Sequence, residues 1–291
     1  MNLERRRDFY NNPSENYSRR VPEQPLTREE ERLLTALEKE TDDFRQPVSE
    51  EFVGVYPSTE LARDVREVDT ITNKYESRSG ERSDMVTRLL LHLVYDFEYL
   101  KPKDGDWEIH TGRTHSYDDK ERGSDEVIVF YNRKTGEALP ISVDTTTSIE
   151  PSKKVDKLKL DFEYGNLRWL KYYKSPVSGE AIGRQEMPHI VIGYSSSKTQ
   201  EIAKIWSKCG YAAFAMLGLE DALRDQVIKQ LRSQTKGIEV LAPLNKQTEM
   251  ISRVERVVEV LSGGGIKKEA TAQAVAPTDF AAMIDALVAR S

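Results

Sequence analysis

Residues 123–148 read "GSDEVIVFYNRKTGEALPISVDTTTS". "EVIVFYN" (126–132) is apolar at successive positions, so both of its faces must be covered, as in a central strand. "ALPISVDTTT" (138–147) alternates instead: Ile141 and Val143 point one way, Ser142 and Asp144 the other. Asn132 and Gly136 lie in the polar turn "NRKTGE" (132–137) and suit a short hairpin. One carboxylate, Asp125, opens the first strand, and another, Asp144, falls late in the second. A carboxylate inside a strand of Ile, Val and Thr needs a partner: a cation, a lysine or several donors. An edge strand facing water would remove that need.

Outward from this pair, "SDMVTRLLLHLVYDFEYL" (83–100) predicts a helix with Ser83 as N-cap and Pro102 as stop. Met85, Leu89, Leu93, Val94 and Phe97 form its stripe, and Leu90, Leu91 and Leu100 widen it to the width of a helix lying on a sheet. "DWEIHTG" (106–112) predicts a short polar strand. Beyond the hairpin, Pro151 opens a helical pattern through Val155, Leu158 and Phe162. "PHIVIGYSSS" (188–197) predicts a second buried strand whose serines cap the helix of 198–218. "LEDALRDQVIKQLRSQ" (219–234) predicts a helix stopped near Gly237, and "EMISRVERVVEVLS" (249–262) another. From 83 to 219 the order is helix, three strands, helix, strand, helix. The expected fold is α/β: a mixed central sheet flanked by helices, with a helical C-terminal extension. Residues 1–48 predict a largely disordered tail with one short helix begun at Thr27. Residues 49–240 predict the α/β core. Residues 241–291 predict a helix, a flexible linker and a short terminal helix (278–290).

Acids outnumber bases, 49 to 43, for a net charge of −6. That argues against a protein that coats DNA generally and leaves room for a local basic face. Cys209 is the one cysteine, so no intrachain disulfide can form, which fits a reducing compartment. "MNLERRRDFYNN" has no apolar run behind its basic residues, and no window approaches the roughly 20 apolar residues of a membrane span. A cytoplasmic protein without membrane contact is expected.

The order of elements, with Asp125 in "GSDEV" and Asp144 in "ISVDTTTS", resembles the core of the restriction-endonuclease-like, or PD-(D/E)XK, superfamily. The resemblance covers roughly half the chain. It implies an αβββαβ core in which a helix acid, an Asp at the second strand and an acid-x-Lys third strand hold Mg²⁺ for nucleic-acid cleavage. Carboxylate oxygens suit that hard cation, which generates hydroxide and steadies phosphorane charge. Residue by residue, Asp125 matches the second-strand Asp, and Glu98 or Asp96 the helix acid. On the third strand, Ser142 and Asp144 stand at the acid and lysine positions in one register, Asp144 and Thr146 in the other. Neither register gives acid-x-Lys. Some members take the lysine from the following helix, where Lys153, Lys154, Lys157 and Lys159 lie. The implied site is therefore Asp125, Asp144 and Glu98 with Lys153 and Lys157, with Mg²⁺ on Asp125 and Asp144. Lys154, Lys159, Arg168 and Lys171, interleaved with Trp169, Tyr172 and Tyr173, form the nucleic-acid contact. The same lysines, set among Asp156, Asp161 and Glu163, equally describe a solvated helix face. Fold likeness does not carry activity. The second reading is a non-catalytic scaffold that docks protein partners through its N-terminal helix or the 278–290 helix.

Other constellations point to packing. His110 and His115 have no cysteine or third histidine near them in sequence. His92, between leucines, predicts a packed histidine. Cys209 predicts a buried thiol. "GYSSS" lacks the G-x-S-x-G elbow, and "SGGGIKK" is no phosphate loop.

Overall fold

The computed structural model describes residues 25–75, 81–147 and 152–263. The terminal segment 278–290 and most of the N-terminal tail lie outside the described residues. The helices are α1 (Arg28–Glu40), α2 (Ser58–Tyr75), α3 (Glu81–Tyr95), α4 (Ser152–Glu163), α5 (Ser196–Cys209), α6 (Ala212–Met216), α7 (Leu219–Leu241) and α8 (Leu244–Leu261). The strands are β1 (Trp107–Arg113), β2 (Glu126–Asn132), β3 (Ala138–Thr146), β4 (Arg168–Lys174), β5 (Ala181–Met187) and β6 (His189–Gly193).

Four strands form one mixed sheet in the order β1-β2-β3-β6. The first three pair antiparallel, and β6 runs parallel to β3 with Asp144 beside Val191. The continuous apolar run of 126–132 is explained by cover on both sides. Ile128, Phe130, Ile141, Val143, Ile190 and Ile192 join the main core with α3 residues Met85, Leu89 and Leu93. Val127 and Val129 face the other way, against Leu170, Tyr173 and Met187 of the separate β4–β5 hairpin. The main core also takes in Leu33 and Leu37 of α1 and Val254 and Val257 of α8.

The outer edge of β6 is closed by side chains rather than by a strand. Val191 N–H donates to Gln230 Oε1 at 2.8 Å, and Gln230 Nε2 donates to Val191 C=O at 2.7 Å. Gln234 repeats the pattern on His189, and Gln226 Nε2 reaches Val191 C=O at 3.4 Å. Four residues of helix rise about 6 Å and two residues of strand about 6.6 Å, so glutamines at i and i+4 meet alternate backbone pairs of a strand edge. This blunts an edge that would otherwise pair with another chain.

The N-terminal helix is docked by one side chain with three partners, the third being the Thr199 hydroxyl, which donates to Glu30 Oε1 at 2.9 Å. Thr27 and Glu30 form a capping box (Thr27 N–H to Glu30 Oε2 2.8 Å, Glu30 N–H to Thr27 Oγ1 3.3 Å). The same Glu30 carboxylate accepts Arg82 Nε at 2.8 Å and Nη2 at 3.0 Å, both partners buried.

Several boundaries depart from expectation. Residues 152–174 hold two elements, because α4 ends at Gly165, whose φ of +69° a side chain would strain. Gly165 N–H bonds Phe162 C=O (2.8 Å) and Asn166 N–H bonds Asp161 C=O (2.9 Å), the closing pair of a Schellman end. Helix 198–218 is broken at Gly210 into α5 and α6, and Ser195 caps α5 by accepting from Lys198 N–H. Helix α7 does not stop at Gly237 but runs on to Leu241, just before Pro243. Strand β5 and a π-helical turn, Asp118–Arg122, had no sequence expectation.

Candidate functional site: an aspartate and lysine cluster at the ends of β2 and β3

Asp125 is locked where β2 begins. Its N–H donates to Val143 C=O (2.8 Å) and its C=O accepts from Thr114 N–H (3.0 Å). Its Oδ2 accepts from both the N–H and the hydroxyl of Thr145, each at 2.6 Å. Thr145 is in turn backed by the Thr87 hydroxyl of α3 at 2.6 Å. Asp144, next to Thr145 on the opposite face of β3, is 6 % exposed. Lys154 Nζ on the first turns of α4 bonds Asp144 Oδ1 and also donates to Thr145 C=O at 3.1 Å. Gly123 presses on the same carboxylate: at φ +67°, a Cβ there would lie 3.3 Å from Asp144 Oδ2 and 4.0 Å from Lys157 Nζ. Asp125, Asp144 and Lys157, expected in the site, and Lys154, expected as a nucleic-acid contact, thus lie in one neighbourhood.

The third acid of the cluster, Asp119, was not expected. It stands on the π-helical turn, 3.6 Å from Lys120 Nζ and close enough to Asp125 to feel its charge. Two neighbouring carboxylates raise each other's pKa. Burial, then the charge of Asp125, push the Asp119 carboxyl up to about 7. Burial also pushes Asp144 up to about 6, against the pull of Lys154 and with a further push from Asp125. Lys157 is driven down to about 8 by burial and by Arg168, with Asp144 opposing. The neighbouring Asp118 is used differently. Its carboxylate accepts from the N–H groups of Lys171 and Tyr172, both at 2.8 Å, and ties the turn to β4. Glu126 faces away from Asp144. Its carboxyl is buried without a hydrogen-bond partner, and burial followed by the Asp125 charge keeps its pKa well above the usual range.

Glu98 does not join them. It is exposed, follows α3, and accepts from Lys101 Nζ at 2.6 Å. The α3 residue that reaches the cluster is Thr87, and the eight residues from there to Tyr95 rise about 12 Å away from it. Asp96 pairs with His92 instead. Lys153 lies in α4, and its side chain is outside the described residues.

The expected nucleic-acid face is not an open one. Arg168 is 2 % exposed, 3.3 Å from Asp161, and donates to Arg122 C=O at 3.1 Å. Lys171 is buried against Asp64 and Glu60, 5.2 to 5.4 Å from the ring centres of Tyr56, Tyr117 and Tyr172. Lys154 is taken by Asp144, and Lys159 pairs with Glu163 at 3.7 Å. The physical reason is that 168–174 is a strand under α2 and the π turn, not the exposed side of a helix. A different cationic feature borders the cluster: the guanidinium groups of Arg122 and Arg184 lie over the Trp169 ring, at 3.6 and 4.5 Å.

His115 is buried, with Tyr117 N–H donating to its Nδ1 at 3.1 Å and Ser49 Oγ at Nε2, 3.0 Å. His110 lies 3.4 Å from Glu108. Cys209 is exposed, contrary to expectation, because α5 ends there and its apolar side is turned elsewhere. Among the described residues, one set of three metal-ligating side chains brings its ligand atoms within 4.8 Å of one another: Glu40, His92 and Asp96. The cluster around Asp125 is looser than that. No helix among the described residues is long and apolar enough to cross a membrane. No protein-family model, curated protein or solved structure matches the chain.

Proposed function

We propose that the chain is a divergent restriction-endonuclease-like protein that cleaves nucleic-acid phosphodiesters with Mg²⁺ held by Asp125 and Asp144. The observation that carries this reading is the buried Asp144 held by Lys154, with Lys157 beside it at Gly123 and with Asp125 and Asp119 near enough to raise its neighbourhood's carboxyl pKa values. Perturbed carboxyls and amines gathered at one place are the mark of a site adapted to chemistry rather than to stability. The donor set is all oxygen, which suits a hard cation. Asp125 and Asp144 would hold the ion, Asp119 would exchange its proton for the ion's charge, and Lys157 would hold or pass a proton near the attacking water. The ion, when bound, supplies an activated water and charge for the phosphorane. Arg122, Arg184 and Trp169 offer a cationic and stacking surface for the polyanion.

A second reading, a non-catalytic scaffold, is favoured by one observation: the Lys154 ammonium already neutralises Asp144. Calorimetric titration of the full chain with Mg²⁺ and Mn²⁺, with plasmid and single-stranded RNA cleavage assayed in parallel, separates the two. Binding and cleavage that are both lost in Asp144→Asn and Asp125→Asn support the nuclease. Absence of metal heat and of cleavage in the wild type supports the scaffold.

A further inference from the structure

We propose that Glu40, His92 and Asp96 form a second metal site, for a borderline divalent cation best matched by Zn²⁺, that clips α1 to α3. It is independent of the aspartate cluster and of the function proposed for it.

The three residues arrive from two helix ends. Glu40 is the last residue of α1, His92 lies in the last turn of α3, and Asp96 follows it by four. Both helices turn their carbonyl ends here, and a carboxylate at a helix C-terminus adds to negative potential already present. A cation relieves all of it together. Asp96 at that position is otherwise an unfavourable choice.

His92 sets the coordinating direction. Its side chain is 4 % exposed, and its ring sits among Phe97, Tyr211 and Phe214, with centroids 5.1, 4.7 and 6.1 Å away. Nε2 is buried among these rings and has no polar partner. A neutral imidazole carries one proton. An aromatic neighbourhood accepts an N–H weakly and offers a nitrogen lone pair nothing. With the proton on Nε2, the Nδ1 lone pair aims at two carboxylate oxygens, Asp96 Oδ2 at 2.5 Å and Glu40 Oε2 at 3.2 Å. Three electron-rich atoms in that arrangement call for a cation or an Nδ1 proton between them.

The metric fits with a small adjustment. Zn–N and Zn–O bonds of about 2.0–2.2 Å set neighbouring tetrahedral ligand atoms about 3.4 Å apart. Glu40 to His92 is near that spacing. Asp96 must withdraw by about 1 Å, which its 39 % exposed side chain allows. Three protein ligands leave the fourth position to water. Tyr211 supplies the outer support: its hydroxyl donates to Glu40 Oε1 at 2.6 Å and so turns Oε2 toward His92. Imidazole with two carboxylates suits Zn²⁺ and its neighbours in the transition series better than Mg²⁺.

The competing occupant is a proton on Nδ1, donated to the carboxylates. Titration of the metal-stripped full chain with ZnCl₂ and, separately, MgCl₂ decides, with thermal melts alongside. The expected result is one Zn²⁺ equivalent and a raised melting temperature in the wild type, both lost in Glu40→Gln/Asp96→Asn and both kept in Asp144→Asn. Tyr211→Phe should weaken Zn²⁺ by roughly 10- to 100-fold while leaving the metal-free melt in place. The double variant changes two half-exposed carboxylates and keeps the buried imidazole, so its metal-free circular dichroism should match the wild type. No Zn²⁺ heat in the wild type, or heat that survives the double substitution, overturns the proposal.

Discussion

Replacing Asp144 by Asn should make the metal-free protein more stable at neutral pH. In the folded chain the carboxyl titrates near 6, against an ordinary value of 3.8, because burial disfavours its charge more than Lys154 and Lys157 restore it. At 1.36 kcal/mol per pH unit, that displacement corresponds to about 3 kcal/mol between the two protonation states. The sign follows from proton affinity. The folded chain holds this proton more tightly than the unfolded chain does. The associated stability is complete below 3.8 and lost as pH rises through about 6. An amide has no charge to bury, so the variant escapes that loss. It forfeits some of the gain, because Lys157 loses an attractive neighbour. Lys154, 26 % exposed, can turn to water while keeping Thr145 C=O within reach. The net expectation is a gain of about 1–2 kcal/mol near pH 8 that shrinks toward zero near pH 4. Urea unfolding of both proteins in metal-free buffer at the two pH values measures it. Burial holds His115 down to about 4 and His189 well below its ordinary value, so both destabilise the fold in acid. Being common to both proteins, they cancel in the difference. A variant less stable than wild type near pH 8, or a gain that persists unchanged in acid, would refute the assignment of Asp144 as a carboxylate kept at a cost.

Three further outcomes are expected. Gln230→Leu leaves Val191 N–H without its buried partner and Val191 C=O with only the long Gln226 bond, and should cost about 2–3 kcal/mol in urea unfolding; Gln226→Leu, which loses one 3.4 Å bond, should cost under about 1 kcal/mol. Glu30→Ala takes the paired carboxylate from a buried guanidinium and opens the α1 capping box, so a loss of about 3 kcal/mol is expected, and Arg82→Met/Glu30→Leu should recover most of it. Cys209 should react fully with a thiol reagent in the folded protein, at the rate seen after denaturation; slow labelling would contradict its exposure.

The strands of the main sheet were legible because periodicity and cover are local facts. The unbroken apolar run of 126–132 needs two covered faces, and the structure supplies α3 on one and the β4–β5 hairpin on the other. Thr27 and Ser195 announced their helices by side-chain chemistry. Asp144 announced itself as a charge inside a strand. What could not be read depended on distant pairings. "AIGRQEM" carries no alternation that marks β5, because its exposed side is fixed by what β4 leaves open. The lysines and aromatics of 151–174 looked like one surface until Gly165 divided them, and the depth of Arg168 and Lys171 is set by Asp161 and by Asp64 of α2. Glu98 was drawn by its place at a helix end, when the helix meets the cluster through its other end, at Thr87.

The π-helical turn explains how two neighbouring aspartates come to serve different ends. In "DDKER" the Gly123 N–H is shared between Asp119 C=O, at 3.1 Å, and Asp118 C=O, the second of these being one residue wider than an α turn. That extra residue lets Asp118 face the β4 backbone while Asp119 meets Asp125. Such widened turns concentrate at functional positions because they sacrifice regular hydrogen bonding for placement. Here the placement sets two like charges against each other, and nothing in the packing of β2 or β3 requires it. Asp118 alone would fasten the turn to β4, and a neutral residue at 119 would spare the fold a half-buried carboxyl pair. Under the proposed function the second acid would be a further oxygen donor near the ion, and the hairpin β4–β5, through Asp118, would hold it in position.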